Sequence, residues 1–169
     1  MPDLATVNRM EEGAFVALLG GVFEHAAWVA EAAAPQRPFA SLAELHAAMT
    51  RAVHAAAPDL QLAFLNGHPE LAGPEARAKS LTDDSASEQG SAGLDRMAEP
   101  EAAAFARLNA AYRARFGFPF IIAVRGRGRA EILSAFEARL GRDPATERET
   151  ALGEVAQITR MRLERLIDA

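Results

Sequence analysis

The chain has 169 residues, contains no cysteine and carries a formal net charge of −5 at pH 7. The missing cysteine excludes a disulfide scaffold, a thiol nucleophile and a cysteine-held zinc or iron–sulfur site. The acidic balance makes nucleic acid an unfavoured partner. Hydrophobic residues make up 50% of the chain and charged residues 24%, a composition typical of a globular protein that buries its own core.

The two ends of the chain carry no recognisable targeting sequence. The first residues lack the basic region and apolar run of a signal peptide. The longest apolar stretches are far shorter than the ~20 residues that a membrane-spanning helix requires. We therefore expect a soluble protein located in the cytoplasm.

Helices are expected from the N terminus to Gly67, separated by glycine and proline. The expected helices cover residues 11–19, 23–32, 42–57 and 58–66. Gly20 and Gly21 end the first of them, and Pro35 and Pro38 follow the second. Ser41 and Glu44 form an S-x-x-E capping box, which predicts the start of the third.

The second half begins with a broken stretch and continues with longer helices. Residues 68–96 are interrupted by glycine and proline, and Thr82 is the expected N-cap of a short helix there. Longer helices are expected over residues 99–116, 129–140 and 144–167, the last of them capped by Asp143. Alanine dominates, and no segment keeps an apolar–polar alternation. The sequence predicts an all-α fold, one compact domain over residues 1–169 with about eight helices of unequal length.

His68 stands in a rigid corner, directly before Pro69. Proline fixes one backbone angle and removes a hydrogen-bond donor, so a histidine here can present its ring into a cleft. Histidine is the side chain whose reference pKa, ~6.5, suits proton transfer near neutral pH. The alternative is a histidine in a surface turn.

A dense polar cluster follows at residues 82–90. If the cluster is helical, Ser85, Glu88 and Gln89 share one face, because residues three and four apart are neighbours on a helix. A hydroxyl, a carboxylate and an amide that converge in this way could bind an amide-like or urea-like ligand. The alternative is that Ser85 and Glu88 form a capping box.

Two further features depart from their local pattern. The apolar run Phe116–Val124 cannot be helical around Pro119, so its backbone groups must bind either a ligand or protein side chains and water. Arg162 shares the apolar face of the last helix, where it either extends to solvent or meets a buried anion. The four histidines have no metal-binding spacing, and we expect no metal site.

Five motifs in order resemble those of one enzyme family. They are Phe23-Glu24-His25-Ala26-Ala27-Trp28-Val29-Ala30-Glu31, Arg37-Pro38-Phe39, Gly67-His68-Pro69-Glu70-Leu71-Ala72-Gly73, Ser85-x-x-Glu88-Gln89 and Leu108-Asn109-x-x-Tyr112-x-x-Arg115-Phe116-Gly117-Phe118-Pro119-Phe120. Together, over about residues 13–167, they resemble the 2-oxo-4-hydroxy-4-carboxy-5-ureidoimidazoline (OHCU) decarboxylases of urate breakdown. One departure is Ala26-Ala27, where the family often has Ser-Pro.

The resemblance implies an all-helical lyase without a cofactor, usually a homodimer, that forms (S)-allantoin and carbon dioxide from OHCU. The family's catalytic residues fall on His68, Glu88 and Arg162. Its substrate-binding residues fall on Pro69, on Ser85, Ala86, Ser87, Glu88 and Gln89, and on Phe120, Ile121, Ile122, Ala123 and Val124. Two alternatives remain open: a hydrolase that acts on a related ureide, and a non-catalytic helical interaction domain.

Overall fold

Ten α-helices and one short 3-10 helix are present in the computed structural model, which describes residues 1–168. In chain order the α-helices are α1 (Leu4–Arg9), α2 (Glu12–Leu19), α3 (Ala27–Ala33), α4 (Leu42–His54), α5 (Pro58–Asn66), α6 (Pro74–Arg77), α7 (Asp83–Ser91), α8 (Glu99–Phe116), α9 (Arg129–Leu140) and α10 (Pro144–Leu166). Eight of these helices have seven or more residues, and residues 1–168 form no β-strand. The predicted all-α class is confirmed. No helix in this described part of the chain is long and apolar enough to cross a bilayer.

The chain divides into two compact units. Unit 1 consists of Met1–Gly67 and the chain from Val155 onward, and unit 2 consists of His68–Glu154. The division falls inside α10. The expectation of a single domain over residues 1–169 stays a prediction.

Unit 1 is built around α2, α3 and α4. Its core contains Phe15, Leu19, Val29, Leu45 and Met49, none of which is exposed to solvent. The Ser41 hydroxyl accepts a hydrogen bond from the Glu44 backbone amide, so the predicted cap of α4 is confirmed. The sequence does not predict the short helix α1, because six residues capped by Asp3 are too few to show an apolar period.

The second expected helix begins four residues later than predicted. Residues 20–25 form turns, His25 has a positive φ of 52°, and α3 starts only at Ala27. Ala26, the N-cap, has no side chain that could accept a hydrogen bond from the first turn. Phe23 and Glu24 are nonetheless buried, so this turn belongs to the interior of unit 1.

Unit 2 contains α6 to α9 and the first part of α10. Its core is aromatic: Phe105, Tyr112, Phe120 and Phe136 are each at most 2% exposed. The rings of Phe120 and Phe136 stack with a centroid distance of 3.9 Å and an interplanar angle of 8°. Tyr112 meets both rings edge-on. This cluster holds the non-helical segment Phe120–Val124 against α8 and α9.

His46 in unit 1 gives a prediction for the pH dependence of stability. Its ring lies 3.0 Å from the Thr159 hydroxyl, and burial lowers the pKa of His46 from its usual 6.5. The unfolded chain therefore binds a proton more readily than the folded chain. The contribution of the neutral, buried His46 to stability is complete above its unfolded-state pKa. This contribution is lost as the pH falls toward the lower folded-state pKa of His46.

We expect the wild-type protein to lose more stability between pH 7 and pH 5 than a His46→Gln variant. The measurement is the free energy of unfolding in urea at each pH. His54→Gln is the matched control, since His54 is exposed at the end of the same helix. Equal pH slopes for wild type and His46→Gln would contradict the prediction.

Candidate active site

His68 and the five residues after it form a corner between α5 and α6, which we call the His68 corner (His68–Gly73). The side chain of His68 is 7% exposed. The alternative of a surface-turn histidine is therefore wrong. Ala72 has a positive φ of 50°, and a Cβ added at Gly73 would lie 2.6 Å from the Cβ of Glu70. The corner is tight enough to require glycine at position 73.

Side chains from two helices hold the His68 corner. Gln89 of α7 accepts a hydrogen bond from the Ala72 amide at 2.9 Å and donates one to the Glu70 carbonyl at 3.3 Å. From α8, Asn109 donates to the Leu71 carbonyl at 2.9 Å. These three bonds fix consecutive residues of the corner just after His68.

One partly exposed ion pair also contacts the His68 corner. Arg113, one turn beyond Asn109 on α8, meets the Glu70 carboxylate at 3.0 Å. Neither Asn109 nor Arg113 was predicted to act at the site. Asn109 belongs to one of the motifs that carry the family resemblance, but its contact with the corner depends on tertiary structure.

Helix α7 carries the predicted polar cluster. Thr82 caps the helix by accepting a hydrogen bond from the Ser85 amide, as predicted. Ser85 is thus inside the helix, and the alternative that Ser85 and Glu88 form a capping box is wrong. Ser85, Glu88 and Gln89 are buried together.

The two remaining residues of this predicted substrate-binding stretch face outward. Ala86 and Ser87 are exposed. Ser87 accepts a hydrogen bond from Arg125, which directly follows the Phe120–Val124 segment, at 3.0 Å. Helix α7 therefore contacts the His68 corner through Gln89 and, through Ser87, the residue that directly follows the Phe120–Val124 segment. All three of these predicted site regions lie in unit 2.

The Phe120–Val124 segment is non-helical, as predicted, and it is buried. Its Ile121 carbonyl accepts a hydrogen bond from Arg139 at 2.7 Å, and its Ala123 amide donates to Glu154 at 2.9 Å. The sequence leaves open whether such groups bind a ligand or protein side chains. At these two positions they bind protein side chains.

Arg162 lies in unit 1, where it is 5% exposed. Its guanidinium donates to the Glu24 carboxylate at 2.8 Å and to the Val22 carbonyl at 3.3 Å. Of the two predicted possibilities, the buried anion is confirmed and extension to solvent is wrong. The anion is provided by the turn that precedes α3.

A cavity of about 810 Å³ opens in unit 2, lined by residues of α6, α7 and the start of α8. Ala72, Ala86 and Gln89 contribute to its wall, whereas His68, Glu88 and the Phe120–Val124 segment do not. We therefore do not assign the candidate chemistry to this cavity. Within residues 1–168, no three His, Asp or Glu side chains form a group that could hold a metal ion.

Comparison with known proteins places these residues in a family. Residues 8–164 match the sequence profile described as OHCU decarboxylase. The chain belongs to the OHCU decarboxylase family. A protein of Haloferax volcanii named 2-oxo-4-hydroxy-4-carboxy-5-ureidoimidazoline decarboxylase is 43% identical over 160 residues, which cover 95% of this chain and 93% of that protein.

Two further relatives are longer than this member of the OHCU decarboxylase family. The uric acid degradation bifunctional protein PucL of Bacillus subtilis is 42% identical over 167 residues, which are 99% of this chain and 32% of PucL. A crystal structure titled (S)-allantoin synthase superposes with a TM-score of 0.78 at 32% identity. That superposition covers 98% of this chain and 54% of the other. The chain thus corresponds to one part of each longer protein.

Replacing Gln89 tests the role of α7 in holding the His68 corner. A Gln89→Met variant keeps a similar shape but leaves the Ala72 amide and the Glu70 carbonyl without this partner. We expect a loss of about 1–3 kcal/mol in the free energy of unfolding. The measurement is urea denaturation, with Gln157→Met at an exposed position as the control. An unchanged unfolding midpoint would show that the two bonds contribute nothing.

Proposed function

We propose that this chain decarboxylates OHCU to (S)-allantoin and carbon dioxide in urate breakdown, without a cofactor. The observation that carries the proposal is the family match over residues 8–164. The Haloferax volcanii relative, matched over nearly its full length, carries the name of this activity. The names of PucL and of the (S)-allantoin synthase support the metabolic context and the product. The enzyme class is a carbon–carbon lyase.

The chemistry of the substrate explains why the reaction can proceed without pyridoxal or thiamine. OHCU carries its carboxylate on a carbon next to a ring C=N group. When the bond to the carboxylate breaks, carbon dioxide leaves and the C=N group accepts the electron pair. The substrate is its own electron sink. The protein must orient the carboxylate, exclude water and direct a proton to one face, because the product is a single enantiomer.

His68 is proposed to handle that proton. Its imidazole is buried on a corner that Gln89 and Asn109 hold in place. A buried ring on such a corner is accessible from few directions, and an acid–base group of this kind contributes typically about 10²–10⁴-fold to the rate. Glu88, buried on the adjacent α7, is proposed to orient His68 and tune its basicity.

The remaining predicted residues are proposed to bind the substrate. Pro69, the Ser85–Gln89 stretch and the Phe120–Val124 backbone would hold the ring and the ureido group. Amide and hydroxyl groups suit these parts of the substrate, which present both donors and acceptors. Arg162 is proposed to hold an anionic or carbonyl oxygen. The family resemblance also leads us to propose a homodimer and a cytoplasmic location. Light scattering after gel filtration tests whether the protein is a homodimer.

Product analysis tests the reaction class. OHCU is generated in place, and carbon dioxide and the product mass are followed with and without the enzyme. We expect carbon dioxide release faster than the spontaneous decay, with allantoin as the product. Hydrolysis of the ring or the ureido group without carbon dioxide release would instead show a hydrolase. A rate equal to the spontaneous one would favour a non-catalytic interaction domain.

A further inference from the structure

We propose that Arg139 is a positioning residue for the reaction, which fixes the Phe120–Val124 segment through the Ile121 carbonyl and is itself oriented by Glu147 and Tyr112. This inference rests on the proposed function, because it assumes that the segment binds the substrate. None of these three residues was a predicted site residue. Of the three, only Tyr112 belongs to a motif of the family resemblance, and no functional role was assigned to it there.

The contacts of Arg139 join α9 to the segment. The guanidinium is buried and donates to the Ile121 carbonyl at 2.7 Å through Nη1. Its Nε donates to the Glu147 carboxylate, also at 2.7 Å. The same guanidinium lies 4.4 Å from the ring centroid of Phe120. Arg139 therefore holds the first residue of the segment by its ring and the second by its carbonyl.

Glu147 and Tyr112 fix the orientation of Arg139. The Glu147 side chain is fully buried and accepts a hydrogen bond from the Tyr112 hydroxyl on the same oxygen that Arg139 contacts. Burial, followed by the bond to Glu147, raises the pKa of Tyr112 far above its usual value. The phenol therefore stays protonated and remains a donor. Arginine, carboxylate and phenol form one network that ends at a backbone carbonyl.

The network fixes a position in addition to pairing two charges. Replacing a buried ion pair by apolar side chains of similar volume is often neutral for stability, so charge pairing alone does not account for the arrangement. The arrangement fixes the position of Ile121. A planar guanidinium can donate to the Ile121 carbonyl while it remains paired with Glu147.

Replacing Arg139 with lysine distinguishes a positioning role of Arg139 from a purely stabilising one. An Arg139→Lys variant retains a cation beside Glu147. An ammonium is a point charge without the planar fork, so it cannot reproduce the bonds to Glu147 and to the Ile121 carbonyl together. We expect the variant to fold cooperatively, and the segment to lose its fixed carbonyl.

The experiment measures KM and kcat for OHCU, the Kd for (S)-allantoin by calorimetry and the unfolding midpoint. For Arg139→Lys we expect KM and Kd to rise about tenfold, the scale of one charged hydrogen bond. The kcat should fall by a smaller factor. The matched control is Arg107→Lys, at an exposed position of α8, which should leave all four quantities unchanged. A lower unfolding midpoint with unchanged KM and Kd would overturn the proposal.

A second variant covers the case in which Arg139→Lys fails to fold. Tyr112→Phe keeps the ring and removes only the donor to Glu147, and it should raise KM and Kd in the same direction by two- to threefold. No rise in a folded Tyr112→Phe protein would then overturn the proposal. A failure of the proposed function has a different signature, because the wild-type protein itself would then neither convert OHCU nor bind (S)-allantoin.

Discussion

A His68→Ala variant is expected to fold like the wild-type protein and to lose about 10²–10⁴-fold in kcat/KM for OHCU. The imidazole is proposed to manage the proton of the reaction, and alanine cannot do so. The bonds that hold the corner come from Gln89 and Asn109 and go to the backbone of residues 70–72. They do not involve the His68 ring, so the corner should keep its shape.

The measurement is the initial rate of (S)-allantoin formation, with the unfolding midpoint measured on the same samples. His54→Ala is the control, since His54 is exposed on α4 in unit 1. It should show the wild-type rate. Near-normal turnover by a folded His68→Ala protein would remove His68 from the mechanism.

A Glu24→Ala variant is expected to show the largest loss of stability, about 3–5 kcal/mol in the free energy of unfolding. Both partners of the pair are almost completely buried, with Glu24 at 3% and Arg162 at 5% exposure. Removing the carboxylate leaves a buried guanidinium without this counter-charge, and charge burial is expensive. Glu31→Ala, at an exposed position of α3, should change stability little.

A double variant separates the stability of this pair from the proposed catalytic role of Arg162. Glu24→Leu combined with Arg162→Met replaces the pair with apolar side chains, which should restore much of the stability lost in Glu24→Ala. If Arg162 also holds a substrate oxygen, the stable double variant should still bind (S)-allantoin more weakly in calorimetry. An unchanged affinity would reject that role and leave Arg162 as a structural residue of unit 1.

The features that the sequence predicted correctly depend on residues close together in the chain. The caps at Ser41, Thr82 and Asp143 are confirmed, because each side chain bonds an amide three residues ahead. The break at Pro119 is confirmed, because proline restricts its own neighbour. Helix caps and proline restrictions involve residues close together in the chain, so they can be recognised from the sequence.

The features that the sequence did not predict depend on residues far apart in the chain. Asn109 meets Leu71 across 38 positions, and Arg162 meets Glu24 across 138. Arg139 reaches the Ile121 carbonyl only after α8 and α9 have packed around the aromatic core. A spacing in sequence gives no information about such pairs. The burial of His68 likewise follows from packing, whereas the proline beside it predicted only the corner.

Circular dichroism tests most directly whether this chain converts OHCU to a single enantiomer of allantoin. OHCU is generated in place, and the optical activity of the solution is recorded over time with and without the wild-type enzyme. Because OHCU also decays spontaneously to racemic allantoin, the enzyme must act both faster and with handedness. We expect the signal of (S)-allantoin to grow with a rate proportional to enzyme concentration. Formation of racemic product at the spontaneous rate would contradict the assignment.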